Sequence, residues 1–372
     1  MKVPFFVPWI TDKDKTFILK SLDSRWLTNG PFLNKFETKF SKTLDCKYSI
    51  GCSSATHALH MCLKALGIKN GDEVIVPTLT FAATADVVQY CDAKLKLCDV
   101  DSETFNITPL EIEKNINSRT KAVIVVHYGG QACDMKEIIS LSQKYNFDII
   151  EDCAHSLGSM YMKKFCGTFS RAGCFSFYPT KIITTGEGGM VTTNEKLLNT
   201  KIKLLRSHNM TKNPRDRETE AIWKYDIPEM GYNYRLDEIR SSLGYSQLQR
   251  IKKINQLRLK IAKSYNHAID NIPGLISPKI SKDRNHIYHL YTIRVTDDYP
   301  LSRDELFSKL HKLGIGTSVQ YTPLHQLTYL RQKFKESLFP NANLLYKQIL
   351  SLPIFPTMSQ KQVNYVIKAL KS

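Results

Sequence analysis

Between residues 73 and 152 the chain alternates short, wholly apolar runs with helical ones, a pattern few folds tolerate. EVIVP (73–77), KLKLCDV (94–100), KAVIVVHY (121–128) and FDIIED (147–152) read as strands. FAATADVVQYC (81–91), LEIEKNI (110–116) and MKEIISLSQKYN (135–146) read as the helices between them. A strand apolar on both faces must be covered on both, and strands joined through helices run parallel. The expectation is an α/β protein whose large domain holds a mainly parallel mixed sheet with helices on each side. GCFSFY (173–178) and GMVTTN (189–194) add two β-rich segments, close enough in sequence for one to run antiparallel.

Residues Leu236 to Ile269 read as one long, charge-laced helical stretch that leads out of this sheet. Beyond it lie HIYHLYTIRV (286–295), a helix from Arg303 to Leu313 and a proline-punctuated end. A chain of 372 residues has room for two domains. The division is placed between 1–250, the large domain with its N-terminal segment, and 251–372, a smaller C-terminal α/β domain.

Composition narrows the class. No apolar run approaches the roughly 18–20 residues of a membrane span, and MKVPFFVPWITDKDK lacks a signal-peptide core. A cytoplasmic protein with no membrane partner is expected. The nine cysteines contain no CxxC pair, so free thiols are expected rather than a metal site. The net charge of +17 is one mark of a nucleic-acid binder. The lysines, however, are spread along the chain among acids, with no basic arm. No nucleic-acid partner is expected; a field that steers an anionic small substrate is.

Ligands of open α/β sheets bind beyond the carboxyl ends of strands, and four features gather there. Lys181 lies in FSFYPTKIITTGEGG (175–189), between an aromatic strand and a glycine-rich loop. A desolvated lysine loses its proton and becomes a nucleophile; a solvated loop lysine is the plainer reading of any single one. Asp152 ends the apolar FDIIED run, with His155 three residues on. A carboxylate there can meet a cationic ring nitrogen or cap the next turn. GCSSATHAL (51–59) leads small hydroxyl residues into a helix, which suits an anion at a helix N-terminus or a simple serine cap. It carries neither a Walker lysine nor GxGxxG, so nucleotide-loop folds are disfavoured. Phe81, in PTLTFAATA, can stack on a planar ring, though core packing is the commoner use of an aromatic.

Taken together, a lysine for an aldehyde, a carboxylate for a pyridinium, a helix N-terminus for a phosphate and a stacking ring describe pyridoxal 5′-phosphate (PLP). The freed lysine can then carry a proton between substrate and cofactor carbons.

These motifs, with WLTNGP (26–31), GDEVIVPTLTFAATA (71–85), EDCAHSLGS (151–159), GYNYRLDE (231–238) and YTPLH (321–325), resemble the PLP-dependent sugar aminotransferases of the DegT/DnrJ/EryC1/StrS family over nearly the whole chain. The resemblance implies the fold type I architecture and a homodimer with shared active sites. It makes Lys181 the catalytic lysine that holds the cofactor. Asp152 would pair with the ring nitrogen and His155 would lie near the ring hydroxyl. Ser176 and the backbone N–H groups of Thr56 and His57 would bind the phosphate, Phe81 would stack on the ring, and Asn233 would reach the neighbouring subunit's phosphate. His57 departs from the small residue frequent at that position, which leaves a side-chain role open. Thr28, Asn29, Gly30, Arg235, Tyr321 and His325 would contact substrate, although domain packing explains Tyr321 and His325 as well.

The implied reaction passes an amino group from L-glutamate to a keto-sugar on a nucleoside diphosphate, at C4 of a 4-keto-6-deoxyhexose or an N-acetylhexosamine. Trp223-Lys224-Tyr225-Asp226 resembles variants acting on 4-keto-6-deoxy hexosamine nucleotides, and also versions for 3-keto or GDP-linked sugars. The family includes dehydratases with histidine in place of the lysine, so Lys181 favours transamination. A 3-keto acceptor, a PLP dehydratase and a non-catalytic family member stand as alternatives.

Overall fold

The computed structural model describes residues 1–211 and 223–372. Seven strands form the main sheet: β1 (Tyr48–Cys52), β2 (Glu73–Pro77), β3 (Lys94–Cys98), β4 (Thr120–Val126), β5 (Asp148–Asp152), β8 (Ala172–Ser176) and β9 (Gly189–Thr193). A small hairpin, β6 (Met160–Tyr161) and β7 (Lys164–Phe165), lies apart from it. The order across the main sheet is β1-β9-β8-β5-β4-β2-β3. β8, β5, β4, β2 and β3 run parallel, and β9 is antiparallel to both its neighbours. The apolar runs read as strands are these strands, and the antiparallel member is β9.

Helices α1 (Asp12–Asp23), α2 (Pro31–Leu44), α3 (Ala55–Ala65), α4 (Ala83–Gln89), α5 (Pro109–Asn115), α6 (Met135–Tyr145) and α7 (Lys196–Arg206) accompany the sheet. α2 shows why one face closes. Phe32, Phe36 and Phe40 recur every four residues, one stripe of a helix. Phe40 meets Phe175 edge-on at 5.0 Å between ring centres, and Phe36 lies 5.2 Å from Phe177. These contacts pin the carboxyl end of β8, the strand that leads to Lys181. On the opposite face α3 buries Leu59, Met61, Cys62 and Leu63 against the sheet.

The stretch from Leu236 to Ile269 is not one helix. It divides into Glu238–Leu248 and Ile251–Ile269. Arg250 leaves the helical region at φ −113°, ψ 15°. Its guanidinium binds Asp14 at 2.8 and 2.5 Å and the carbonyl of Trp9 at 2.7 Å. A long-range ion pair thus ends a helix that local periodicity would continue.

A second, three-stranded antiparallel sheet joins β10 (Leu275–Ile276), β11 (Tyr291–Val295) and β12 (Ile349–Leu352). Its core takes in Tyr265, Tyr291, Leu306 and Val363 from the surrounding helices and strands, together with Val3 from the start of the chain. Val3 is tied to 314–316 by two backbone hydrogen bonds of 2.8 Å. The helix expected at Arg303–Leu313 spans Arg303–Lys312 and opens with a Ser302/Glu305 capping box.

No helix among the described residues is long and apolar enough to cross a membrane. The nine cysteines are all free thiols, eight of them buried.

Candidate active site

The carboxyl ends of β5 and β8, the turn after β8 and the start of α3 converge on one cavity of about 540 Å³. Asp152 is the last residue of β5 and Ser176 the last of β8. Lys181 stands on a closed loop. Phe177 N–H donates to the Gly188 carbonyl, and Thr185 N–H and Thr184 Oγ1 both donate to the Phe177 carbonyl, each at 2.9 Å. Gly189 lets β9 pass the start of α3, because a Cβ there would meet the Ser54 carbonyl carbon at 2.5 Å.

Asp152 is buried and held by two donors. Thr84 Oγ1 gives a hydrogen bond of 2.9 Å to Oδ2, and the Ala154 N–H one of 3.0 Å to Oδ1. Burial raises its pKa, partly offset by these donors and by the Lys181 charge. Lys181 is lowered to about 8 by burial, against the pull of Asp152. The pair therefore presents an amine that is readily made neutral beside a carboxylate waiting for a cation.

At the start of α3, Ser54 caps the helix, and its hydroxyl accepts from the His57 N–H at 3.1 Å. The N–H groups of Ala55 and Thr56 find no acceptor among the described residues, and Thr56 and Ser176 line the cavity. The His57 ring turns to Ser53 Oγ at 2.7 Å and stacks on Tyr234 at 3.7 Å. Phe81 is 60 % exposed on the cavity wall, an aromatic face left open where a planar ring can lie.

These groups fit PLP. Lys181 could meet its aldehyde, Asp152 its ring nitrogen, the start of α3 with Ser176 its phosphate, and Phe81 its ring face. His127, Glu151 and Cys153 also offer ligand atoms within 4.8 Å of one another. Glu151, however, is saturated by donors from His127, Gly167, Phe169 and Ser170, and His127 Nδ1 accepts from the Cys133 N–H. This cluster braces the strand beneath Asp152.

Thr56, Phe81, Asp152, His155, Ser176, Lys181 and Tyr321 all face the cavity. His325 does not line it; its Nδ1 meets Thr78 Oγ1 at 2.7 Å and its Nε2 meets Asn343 at 2.9 Å, making it a strut. Thr28, Asn29 and Gly30 run beside Asp237 and Glu238, with Glu238 accepting from the Gly30 N–H at 2.9 Å. Asn233 is exposed, and Arg235 pairs through its backbone with Cys52; neither lines this cavity. Reasoning from sequence missed Thr84, Phe5 and Gln320, which line the cavity too. Only Thr84 carried a signal, one helical turn past Phe81.

The model of the DegT/DnrJ/EryC1/StrS aminotransferase family matches residues 8–371. The spore coat polysaccharide biosynthesis protein SpsC of Bacillus subtilis is 38% identical, across 99% of this chain and 96% of its own. The GDP-perosamine synthase of Escherichia coli O157:H7 is 35% identical, across 99% and 97%. The sugar aminotransferase Spr1654 of Streptococcus pneumoniae, described as putative and solved in its PMP form, superposes with a TM-score of 0.93 at 28% identity, over 100% of this chain and 98% of that one. It has also been solved in its PLP form. The chain belongs to the DegT/DnrJ/EryC1/StrS family of PLP-dependent sugar aminotransferases.

Proposed function

We propose that the chain is a cytoplasmic enzyme that moves an amino group from L-glutamate to the carbonyl of a keto-sugar carried on a nucleoside diphosphate. The acceptor position is C4 of a 4-keto-6-deoxyhexose or an N-acetylhexosamine derivative, and the product serves a surface or secondary-metabolite amino sugar. The observation that carries this reading is Lys181, lowered to about 8, beside buried Asp152 in an open cavity. A relative named GDP-perosamine synthase supports a nucleotide-linked amino sugar as product.

Bound PLP supplies an electrophilic aldehyde and a ring that accepts electrons from a substrate carbon. Asp152 would keep the positive charge on the ring nitrogen. Ala55, Thr56 and Ser176 would hold the phosphate. Lys181 Nζ would take and return the proton at the reacting carbon. Phe81 covers one ring face and keeps water from it. The net charge of +17 favours anionic substrates.

The working unit in this reading is a homodimer with shared sites. Asn233 is exposed and outside its own cavity. Trp223 and Met230, in the segment leading to it, are 84 % and 73 % exposed. A second copy would cover these side chains and receive Asn233 at its phosphate.

The test is the visible spectrum of the PLP-loaded protein before and after L-glutamate. Candidate UDP-, GDP- and dTDP-linked keto-sugars then follow, with the aminated product read by mass. Bleaching by glutamate without amination of any keto-sugar nucleotide would overturn the acceptor class.

A further inference from the structure

An asparagine followed by glycine is prone to lose its side-chain amide, because no side chain on the glycine shields the backbone nitrogen. The chain holds two such pairs, Asn29-Gly30 and Asn70-Gly71. The reaction is internal. The glycine nitrogen bonds to the asparagine Cγ, the Cγ–Nδ2 bond breaks, and ammonia leaves with the backbone amide proton. Water then opens the cyclic imide at either carbonyl, giving aspartate or isoaspartate. The sum is an exchange of ammonia for water, with no oxidant, reductant or cofactor.

The fold treats the two pairs differently. Gly30 is buried, and its N–H donates to Glu238 Oε1 at 2.9 Å. The same carboxylate, itself wholly buried, accepts from the N–H groups of Phe32 and Leu33 at 2.7 and 2.9 Å and so caps α2. The packing is close: a Cβ on Gly30 would meet Trp26 Cδ1 at 2.5 Å and Glu238 Cδ at 2.7 Å. Asn29 Oδ1 is shut off from solvent. Attack by the Gly30 nitrogen requires removal of its proton. A carboxylate that already holds this proton opposes the step twice. The hydrogen bond must first open, and the adjacent negative charge disfavours an amide anion.

Asn70-Gly71 has no such lock. Both residues are exposed, in the turn between α3 and β2. The Asp72 N–H closes the turn on the Lys69 carbonyl at 3.1 Å, and Asp72 Oδ2 accepts from the Lys69 N–H at 3.0 Å. These bonds leave the Gly71 N–H without an acceptor among the described residues. Gly71 lies at φ 92°, and a Cβ there would meet nothing within 4 Å, so no neighbour crowds the attacking nitrogen.

We propose that Asn70 is a deamidation site of the folded protein, and that Glu238 holds the other pair, Asn29-Gly30, unreactive. The consequence follows from the topology. The turn precedes β2, which runs parallel to β4 and, through it, to β5. It therefore lies at the opposite edge of the sheet from the cavity, which opens at the carboxyl end of β5. Deamidation there adds a negative charge and leaves the cavity wall in place. The pair that is locked lies in the segment resembling the family's substrate contacts.

The experiment is peptide mapping by mass spectrometry of the PLP-loaded protein aged at mildly alkaline pH, with the chain unfolded in urea beside it. In urea both pairs should convert at similar rates. In the folded wild type Asn70 should convert, and Asn29 should lag by about tenfold or more, the weight of one hydrogen bond to a charged acceptor. Glu238→Gln keeps the side chain's size and removes its charge. It should speed Asn29 conversion by about tenfold and leave Asn70 unchanged. Equal rates for the two pairs in the folded wild type overturn the proposal. So does an Asn70 that stays intact there, or an Asn29 as slow in urea as in the fold. A folded Glu238→Gln protein whose Asn29 converts no faster than wild type overturns the role of Glu238. If that variant fails to fold, Glu238→Asp, which draws the carboxylate back by a methylene, makes the same comparison.

Discussion

Thr84 and Asp152 stand 68 residues apart in the chain and meet through a hydrogen bond of 2.9 Å. Thr84 Oγ1 accepts in turn from Thr80 Oγ1 at 3.0 Å, so its own proton is committed to the carboxylate. The bond aims Oδ2 and favours the charged form in a site where burial opposes it. Thr84→Val keeps the shape and removes the donor. It should weaken PLP binding about tenfold, the effect of about 1.5 kcal/mol for a hydrogen bond to a charged group. Titration of the apoprotein with PLP measures this, and an unchanged affinity would reduce Thr84 to a helix-start residue.

Lys181 is held at about 8 by burial, against the opposing charge of Asp152. Only the neutral amine attacks an aldehyde. The rate at which apoprotein captures PLP should therefore rise with pH with its midpoint near 8, well below the roughly 10.4 of a free lysine. Asp152→Asn removes the charge that retains the proton and should move the midpoint lower. Stopped-flow absorbance over a pH series reads both. A midpoint near that of free lysine, or an upward shift in Asp152→Asn, would contradict the site's electrostatics.

The parts of the site legible in sequence share one property: they sit where a local pattern ends. Asp152 closes an apolar run, Ser176 closes another, and Ser54 precedes an amphipathic helix. What was not legible depends on long-range contacts. Tyr321 meets His155 across 166 residues, and the orientation of both rests on a backbone N–H that no side-chain pattern announces. The break at Arg250 is decided by Asp14, 236 residues away. At His57 the motif was visible, but the competition was not: the serine cap takes the N–H, leaving Ala55 and Thr56 with the free donors.

Asn233 lies outside its own cavity, and in the proposed shared-site dimer it would serve the neighbouring subunit. Asn233→Ala and Lys181→Ala proteins should each be inactive or nearly so. After subunit exchange, a mixed dimer has one site with both lesions and one with neither. An equal mixture should recover roughly a quarter of wild-type activity, since half the dimers are mixed and each keeps one of two sites. Exchange proven by tagged subunits with no recovery would rule out a site built from both chains.

Glu151 is wholly buried beside Asp152, yet its carboxyl is held below the ordinary range. Burial works against its charge, and donors outweigh it. His127 Nε2 at 3.0 Å is joined by the N–H groups of Gly167, Phe169 and Ser170 at 2.6, 2.9 and 3.0 Å, and by Ser170 Oγ at 2.9 Å. Because the folded pKa lies below the unfolded one, this stabilisation is complete above about pH 4.3 and is lost as pH falls through the folded value. Glu151→Gln turns an acceptor-only group into one with two donors facing donors, which should cost about 2–4 kcal/mol at neutral pH. Denaturant unfolding across an acid series measures both effects. The variant should lose the part of the acid dependence that Glu151 supplies. A cost within experimental error, or an acid profile identical to wild type, would mean that the loop 167–170 is held by packing and that the strand beneath Asp152 does not depend on this carboxylate.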